Sequence, residues 1–272
     1  MRNCGLQQLG FLAVASVFFA AGATAQDAAV KELTPTGKLR VAIAWGPTPS
    51  ALYTIKDAAA PAGYRGVTID LSEALAKKLG VQRELVPYLA SGEIQASAAS
   101  GVWDLTFMPV DEERKKFVDF GNAYHLLQST YLVTSNSKLR SVKDANDPGV
   151  TVCGVKGTAT FRANAVNAPR AVQLELSGPE EQIATMLAGK CEAMALSRES
   201  LSAVSPKIPG SRVLPDAFLN STTAIAVPKN KPAALAYATA FIEEAKASGL
   251  VRKSFDAVGM TTSQVAPAGM KP

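Results

Sequence analysis

The chain has one histidine and three cysteines among its 272 residues, so the residue types that most often bind transition metals are scarce. His125 has no second histidine to work with, and no closely spaced cysteine pair occurs, which leaves a zinc site almost without ligands. A glycine-rich phosphate-binding motif and a nucleophile elbow are also missing from the sequence. These absences favour binding over catalysis, and we expect no cofactor.

Clusters of positive charge are missing as well. The 28 lysines and arginines and 23 aspartates and glutamates give a net charge of +5, but the basic residues are dispersed and interleaved with acids. Nucleic-acid binding requires clustered positive charge, often with aromatic residues between the basic ones. We therefore expect no nucleic-acid partner.

A hydrophobic run long enough to span a bilayer is missing too. The apolar stretch "FLAVASVFFA" (11–20) is shorter than the roughly 20 residues that a membrane helix needs. It follows Arg2 and precedes the small residues "ATA" (23–25), which is typical of a secretory signal peptide over residues 1–25. Cleavage after Ala25 would deliver a mature chain of 247 residues (272 less 25) to the periplasm.

Two cysteines, Cys153 and Cys191, remain after that cleavage. Export makes a disulfide chemically possible. The sequence leaves open whether they pair or are two buried thiols.

From Leu39 onward, strand patterns alternate with helix patterns. The sequence predicts strands at 39–45, 82–88 and 104–110, with a helix after "GVTID" (66–70) that Asp70 and Glu73 would cap. The alternation restarts at 150–155 and runs through strands at 171–176 and 191–196. Such alternation is typical of parallel sheets covered by helices on both faces.

Two runs of this pattern predict two lobes. An extended segment (124–137) joins them, and a late strand followed by a helix over 232–249 could return to complete the first lobe. We therefore predict an α/β clamp with two hinge crossovers. Its first lobe would comprise residues 36–124 plus 226–265, and its second lobe residues 125–225.

Six segments, in this order, resemble a known family. They are "GKLRVAI" (37–43), "GYRGVTIDLSEALAKKLGV" (63–81), "SGVWDLTFMPVDEERKKFVDFGNAY" (100–124), "VTVCGVKGT" (150–158), "IATMLAGKCEAMAL" (183–196) and "TAIAVPKN" (223–230). Together they span nearly the whole mature chain and resemble the family 3 extracellular solute-binding proteins, which deliver polar amino acids and related solutes to ABC importers. The resemblance implies a two-lobed clamp that closes on its ligand.

The resemblance also implies a role for Arg114. In the family, the arginine of a T-x-x-R turn binds the ligand's carboxylate. Here the turn begins with Asp111 instead of threonine, and Asp111 is well suited to capping the short helix that follows. A strand ending at Val110 would place this turn at the carboxyl edge of a parallel sheet, where open α/β folds bind ligands. The alternative is a solvated arginine in a charged run, or one neutralised by Glu112 or Glu113.

Several family positions are altered. Pro109 replaces the serine or threonine that lies five residues before the arginine, and it has neither a hydroxyl group nor a backbone donor. Ser197 stands where the family usually has the aspartate that holds an α-ammonium group, and Glu192 replaces the strand's own aspartate. A serine cannot neutralise an ammonium group, so the ligand's identity stays open. Arg198 could favour a second negative group or could simply face solvent.

The remaining candidates line the expected cleft. Thr158 could contact an anionic ligand group or merely begin a helix, and Trp45 or Tyr53 could form an aromatic wall. Tyr88, Ser91 and Glu93 follow the second predicted parallel strand and could line the same mouth. His125 has no visible partner and is expected to be structural.

The leading hypothesis is a periplasmic, monomeric binding protein that captures a small carboxylate-bearing solute and presents it to a membrane-embedded ABC permease. A second hypothesis is an enzyme of the same fold that resembles cyclohexadienyl dehydratase, with Glu93 or Asp111 as general acid. A third is an accessory partner of a periplasmic oxidoreductase with a vestigial cleft.

Overall fold

The computed structural model describes residues 26–45, 52–261 and 263–272. The predicted signal peptide and its cleavage point therefore lie outside the described residues. The strands are β1 (Lys38–Ala44), β2 (Ile55–Lys56), β3 (Tyr64–Arg65), β4 (Gln82–Tyr88), β5 (Leu105–Pro109), β6 (Val118–Val133), β7 (Thr151–Val155), β8 (Val172–Leu176), β9 (Ala193–Ser197), β10 (Arg212–Val213) and β11 (Leu219–Pro228). The helices are α1 (26–33), α2 (Val67–Leu79), α3 (Ser91–Ala96), α4 (Ala159–Asn167), α5 (Pro179–Leu187), α6 (Arg198–Val204), α7 (Pro232–Ala247) and α8 (Leu250–Ala257).

The first half of the fold is a parallel sheet in the order β4-β1-β5. Helix α2 buries Leu71 and Leu75 in the core beside this sheet. The prediction that Asp70 caps this helix was wrong, because the helix begins at Val67 and Asp70 lies within its first turn. Gly66 precedes the helix with a φ of 140°, a conformation that favours glycine. Val67, Thr68 and Ile69 are all buried at the start of the helix.

The second half is another parallel sheet, in the order β9-β7-β8. Helices α4, α5 and α6 alternate with these strands, as the restarted pattern predicted. A disulfide joins Cys153 on β7 to Cys191 just before β9, with both side chains buried and the Cα atoms 5.9 Å apart. Of the two possibilities left open by the sequence, the structure therefore has the disulfide and not two buried free thiols.

Strands β6 and β11 connect the two halves and run antiparallel to each other. Together with β5 and β9 they complete a mixed sheet in the order β4-β1-β5-β11-β6-β9-β7-β8, with β10 on β6. The buried apolar residues separate in the same way. One set belongs to the first half and to α7 and α8, whereas two other clusters fall entirely between residues 131 and 214. The protein is thus a two-lobed α/β clamp whose lobes are linked by two crossing strands.

The C-terminal helices complete the first lobe. Residues Ala234, Ala238 and Ile242 of α7 and Phe255 of α8 are buried in the same core as β1 and α2. Among the described residues, no helix combines the length and apolarity required to cross a membrane. Within the same residues, no group of three His, Cys, Asp or Glu side chains is placed to hold a metal ion.

Candidate functional site

Arg114 lies in the turn that follows β5, at the edge where the parallel strands of the first lobe end. Oδ1 of Asp111 accepts the backbone N–H of Arg114 at 2.9 Å, at the start of the short 3₁₀ turn Arg114–Lys116. Asp111 therefore has the capping role expected from the sequence. The Arg114 side chain is fully buried, which contradicts the alternative of a solvated arginine.

Acceptors of its own lobe hold the Arg114 guanidinium. Nη1 donates to the Pro109 carbonyl at 2.9 Å and Nη2 donates to Ser91 Oγ at 2.7 Å. Nε lies 3.7 Å from Asp111 Oδ2 and has no hydrogen-bond acceptor among the described residues. Burial lowers the pKa of Arg114 to about 10; Asp111 opposes this change and Arg162 reinforces it. Arg114 therefore stays protonated at neutral pH inside the protein.

The second lobe approaches this turn directly. A Cβ placed on Gly92 of α3 would lie 3.2 Å from the carbonyl oxygen of Gly157, which belongs to the turn after β7. Arg162 of α4 forms an ion pair with Asp111 across the same gap, and its Nη1 donates to the Gly157 carbonyl at 3.1 Å. The two lobes are closed against each other beside Arg114.

Thr158 follows Gly157 and therefore lies at this junction. Its Oγ1 accepts the backbone N–H of Phe161 at 3.2 Å and donates to the Val155 carbonyl at 2.8 Å. Thr158 thus caps α4, which is the helix-start alternative. Thr158 directly follows Gly157, which lies against the first lobe near the turn of Arg114. A ligand contact by Thr158 stays a prediction.

Ser197 caps α6 in the same manner. Its Oγ accepts the backbone N–H of Ser200 at 3.2 Å and donates to Ser200 Oγ at 2.9 Å. Ser197 is buried and is the register partner of Ser129 on β6, so it lies beside a crossing strand. Glu192 lies at the other end of β9 and accepts a hydrogen bond from Ser137 Oγ at 2.7 Å.

A second polar cluster lies where β5, β11 and β6 run side by side. Thr223 of β11 is the register partner of Pro109 on one side and of His125 on the other. His125 is fully buried, and its Nε2 lies 3.3 Å from Oε1 of Glu199 on α6. The sequence showed no partner for His125, and in the structure the closed lobes bring beside it a residue 74 positions away.

Tyr53 belongs to this cluster. Burial raises the pKa of the Tyr53 phenol, the Thr223 hydroxyl and the charge of Arg114 lower it, and the charge of Glu199 raises it. The Thr223 hydroxyl lies beside the phenol without reaching hydrogen-bond geometry. Of the two aromatic residues predicted as a wall, Tyr53 is the one whose phenol lies near enough to Arg114 and Glu199 for both charges to affect its pKa.

Trp45 and Tyr88 stay together in the first lobe. The Trp45 backbone N–H donates to the Tyr88 carbonyl at 3.0 Å, and the Trp45 ring lies 3.4 Å from Lys56 Nζ. Tyr88 Oη accepts a hydrogen bond from Ser97 Oγ at 2.9 Å. Neither aromatic residue contacts Arg114 in this conformation.

Arg198 is held by acceptors of the second lobe and of a crossing strand. Its guanidinium donates to Gln128 Oε1 and to the carbonyls of Leu214, Pro215 and Asp216, each at 3.0 Å. Arg198 also lines the cavity described below, and a contact with a negative ligand group stays a prediction. Its donors tie a loop of the second lobe to a crossing strand.

Neither acid named for a dehydratase is available for acid catalysis in this conformation. Glu93 is exposed, and its Oε2 accepts the backbone N–H of Leu89 at 3.0 Å. Asp111 is shared between Arg114 and Arg162. Both carboxylates therefore have structural partners.

A cavity of about 860 Å³ opens on one side of the crossing strands. Its walls come from both lobes and include Ile55, Met260, Glu199 and Thr222. None of the seven ligand-binding residues predicted from the sequence lines it. The closed junction at Arg114 and this cavity are therefore separate features.

Comparison with known proteins identifies the relatives of this chain. Curated proteins similar to it include a glutamine-binding protein of Geobacillus stearothermophilus, 32% identical over 164 residues that cover 56% of this chain and 60% of that protein. An ABC transporter glutamine-binding protein of Bacillus subtilis (strain 168) is 27% identical over 195 residues, covering 68% of each. The chain thus spans less than two thirds of the length of the first of these relatives.

Among solved structures, the chain is similar to the ancestral amino acid-binding protein AncCDT-1, a precursor of cyclohexadienyl dehydratase. The two share 27% identity and a TM-score of 0.72, over 84% of this chain and 97% of that one. Both curated relatives are named as glutamine-binding proteins. The family model of the bacterial extracellular solute-binding proteins, family 3, matches residues 43–257, and the chain belongs to that family.

Proposed function

We propose that this protein is the substrate-binding component of an ABC importer and that it captures a small carboxylate-bearing solute, specifically an amino acid, in the periplasm. The observation that carries the proposal is the buried, protonated guanidinium of Arg114 at the junction of the lobes. A guanidinium is planar and can pair with both oxygens of a carboxylate. Relatives named for glutamine binding support an amino acid as the solute.

The proposed cycle is opening and closing about β6 and β11. Contacts between the lobes, such as the Asp111–Arg162 ion pair, exist only when the lobes are closed. A ligand that binds the closed state better than the open state shifts the population toward closure. A membrane permease would then distinguish the closed, loaded protein, acting as a monomer, from the open one.

The proposed lobes are residues 36–124 plus 226–265 and residues 125–225. The separation of the buried clusters supports this division, although Leu127 packs with the first core and moves the first crossover slightly later. The proposed ligand-binding residues are those named from the sequence. They are Arg114, Ser91, Pro109, Thr158, Ser197, Trp45 and Tyr88.

A thermal-shift screen of the mature protein against amino acids, dicarboxylates, aromatic acids and polyamines tests this function, followed by calorimetry on the best ligand. Arg114→Ala should weaken its binding by about 2–5 kcal/mol, or about thirty-fold to several-thousand-fold. Lys116→Ala, at an exposed position two residues further on, is the matched control and should bind normally.

Because Arg114 is fully buried, circular dichroism must show that the variant is folded. Arg114→Lys serves as a second variant, since lysine keeps the charge but loses the bidentate geometry. Unchanged affinity in both folded variants would contradict the proposal. Mass spectrometry of the exported protein should find Gln26 as the first residue, and incubation with prephenate should yield no aromatic product.

A further inference from the structure

The cavity beside the crossing strands has walls of two different kinds. The first lobe contributes apolar side chains, among them Ile55, Val258 and Met260, and Leu126 of β6 lines the cavity as well. The second lobe contributes polar residues of α6. Its volume of about 860 Å³ lies within the roughly 300–1,000 Å³ that is typical of sites for small molecules. A mainly apolar lining with a few convergent polar groups is also typical of such sites.

The hydroxyl groups of this cavity act as hydrogen-bond acceptors. Ser202 of α6 donates its hydroxyl hydrogen to the Arg198 carbonyl at 2.9 Å. Ser221 of β11 donates in the same way to the Val110 carbonyl at 2.9 Å. Both serines line the cavity, and a hydroxyl group that has given up its hydrogen can only accept. Glu199 lies three positions before Ser202 on α6 and therefore on the same face of the helix.

Three charged side chains line the cavity, and they differ in how well they are paired. Arg198 is held by the four acceptors described above, and Nε of Arg65 lies 3.2 Å from Oδ2 of Asp57. Oε2 of Glu199 is buried and has no hydrogen-bond partner among the described residues. Its Oε1 lies 3.3 Å from Nε2 of His125, but neither ring nitrogen of His125 forms a hydrogen bond within the same residues. An uncompensated carboxylate in a largely buried position is costly, which favours a cationic occupant.

We propose that this cavity is a second binding site, which takes a primary alkylammonium ion with its ammonium group on Glu199 and its alkyl chain along Ile55 and Met260. An ammonium group has three donors and no acceptor, which matches a polar wall that only accepts. Aliphatic amines are protonated at neutral pH, as the lysine side chain is. This inference goes beyond the proposed function, because the cavity is separate from the Arg114 junction and its occupant requires no solute there.

Binding in this cavity is coupled to the position of the lobes. Ile55 and Met260 belong to the first lobe and Glu199 to the second, so the occupant contacts both. Rotation of the lobes about β6 and β11 changes the distance between these walls. The cavity has its present width while the lobes are closed beside Arg114, and an occupant that fits this width favours the closed state.

Calorimetry on the wild-type protein, without any amino acid present, tests the chemistry of the site. The probes are n-hexylamine, 1-hexanol and hexanoate, which share one alkyl chain and differ in the charge of the head group. We expect hexylamine to bind at least about tenfold more tightly than either of the others. Equal binding of hexanol, or tighter binding of hexanoate, would overturn the proposal, and this comparison does not depend on the folding of a variant.

Two variants test the location. Glu199→Gln should weaken hexylamine binding at least about tenfold and leave hexanol binding unchanged. Ala203→Phe should weaken binding of both, because this exposed position on α6 lines the cavity and a phenyl ring would occupy the space of the alkyl chain. Glu180→Gln, at an exposed position on α5, is the matched control and should bind all three probes as the wild type does. Circular dichroism shows whether each variant is folded.

Unchanged hexylamine affinity in both folded variants would overturn the proposal, and so would displacement of hexylamine by an amino acid that binds at Arg114. Small-angle scattering tests the coupling, since saturating hexylamine should reduce the radius of gyration of the protein without solute. Binding that leaves the scattering unchanged would refute the coupling to closure. A protein that binds hexylamine as described but binds no amino acid refutes only the proposed function, whereas one that binds an amino acid and no hexylamine refutes only this inference.

Discussion

Removal of the Cys153–Cys191 disulfide should destabilise the second lobe strongly. The bond joins residues 38 positions apart and connects β7 to the residue that lies two positions before β9. Closing a loop of that length in the unfolded chain corresponds to about 4 kcal/mol of stabilisation in the chain-entropy model. For a protein of this size each kcal/mol changes the melting temperature by about 2–4 °C, so we expect a loss of about 8–16 °C.

The measurement is guanidinium unfolding of the oxidised protein and of the double variant Cys153→Ala/Cys191→Ala. Far-ultraviolet circular dichroism reports the whole fold, and fluorescence of the buried Trp103 reports the first lobe separately. Wild-type protein unfolded and refolded under reduction is the control and should resemble the double variant. Two free thiols in the exported, denatured protein, or a loss below about 1 kcal/mol, would refute the reasoning.

Two further predictions concern lobe closure and pH. Arg162→Gln removes the partly exposed ion pair with Asp111. The affinity for the ligand should therefore fall about two- to fivefold, and small-angle scattering should show a more open unliganded protein. Unchanged scattering and affinity would show that the ion pair does not favour closure. Burial raises the pKa of Asp70 above its usual value. The ionised carboxylate therefore lowers the free energy of unfolding at neutral pH, and this loss of stability disappears as the pH falls through the raised pKa. Asp70→Asn should therefore raise the melting temperature at pH 7 and lose this advantage in acid, and a variant that melts lower than wild type at pH 7 would contradict the argument.

Local patterns were sufficient for most of the elements. The prediction of strand 82–88 coincides with β4, and the predicted helix over 232–249 corresponds to α7, because proline at its start and glycine after its end are local signals. The start of α2 was predicted too late, because the helix already begins at Val67 and Gly66 precedes it instead of Asp70. Tertiary packing buries Val67, Thr68 and Ile69, so the helical spacing of apolar residues did not show where the helix begins.

Local sequence patterns predicted only part of the candidate site. Arg114, Ser91 and Pro109 were each named from the sequence, and they lie within one lobe, where Arg114 donates to the Pro109 carbonyl and to Ser91 Oγ. Glu199 and Arg162 were missed as site residues, because nothing near them in the sequence indicates that they face Asp111 or His125. The sequence did not indicate the carbonyl partners of Arg198 for the same reason, since they lie 16 to 18 residues further along the chain.

By itself, the sequence determined the α/β class, the two-lobed plan and the place of Arg114 after a strand, because these depend on hydrophobic period, turn residues and the order of segments. Only the tertiary structure decided that Cys153 meets Cys191, that Arg114 is buried without losing its charge, and that Glu199 reaches His125. The physical reason is that each of these outcomes depends on residues that are distant in the chain and are brought together by strand pairing within a lobe or by closure between the lobes. Such contacts arise from strand register and closure, which no local pattern encodes.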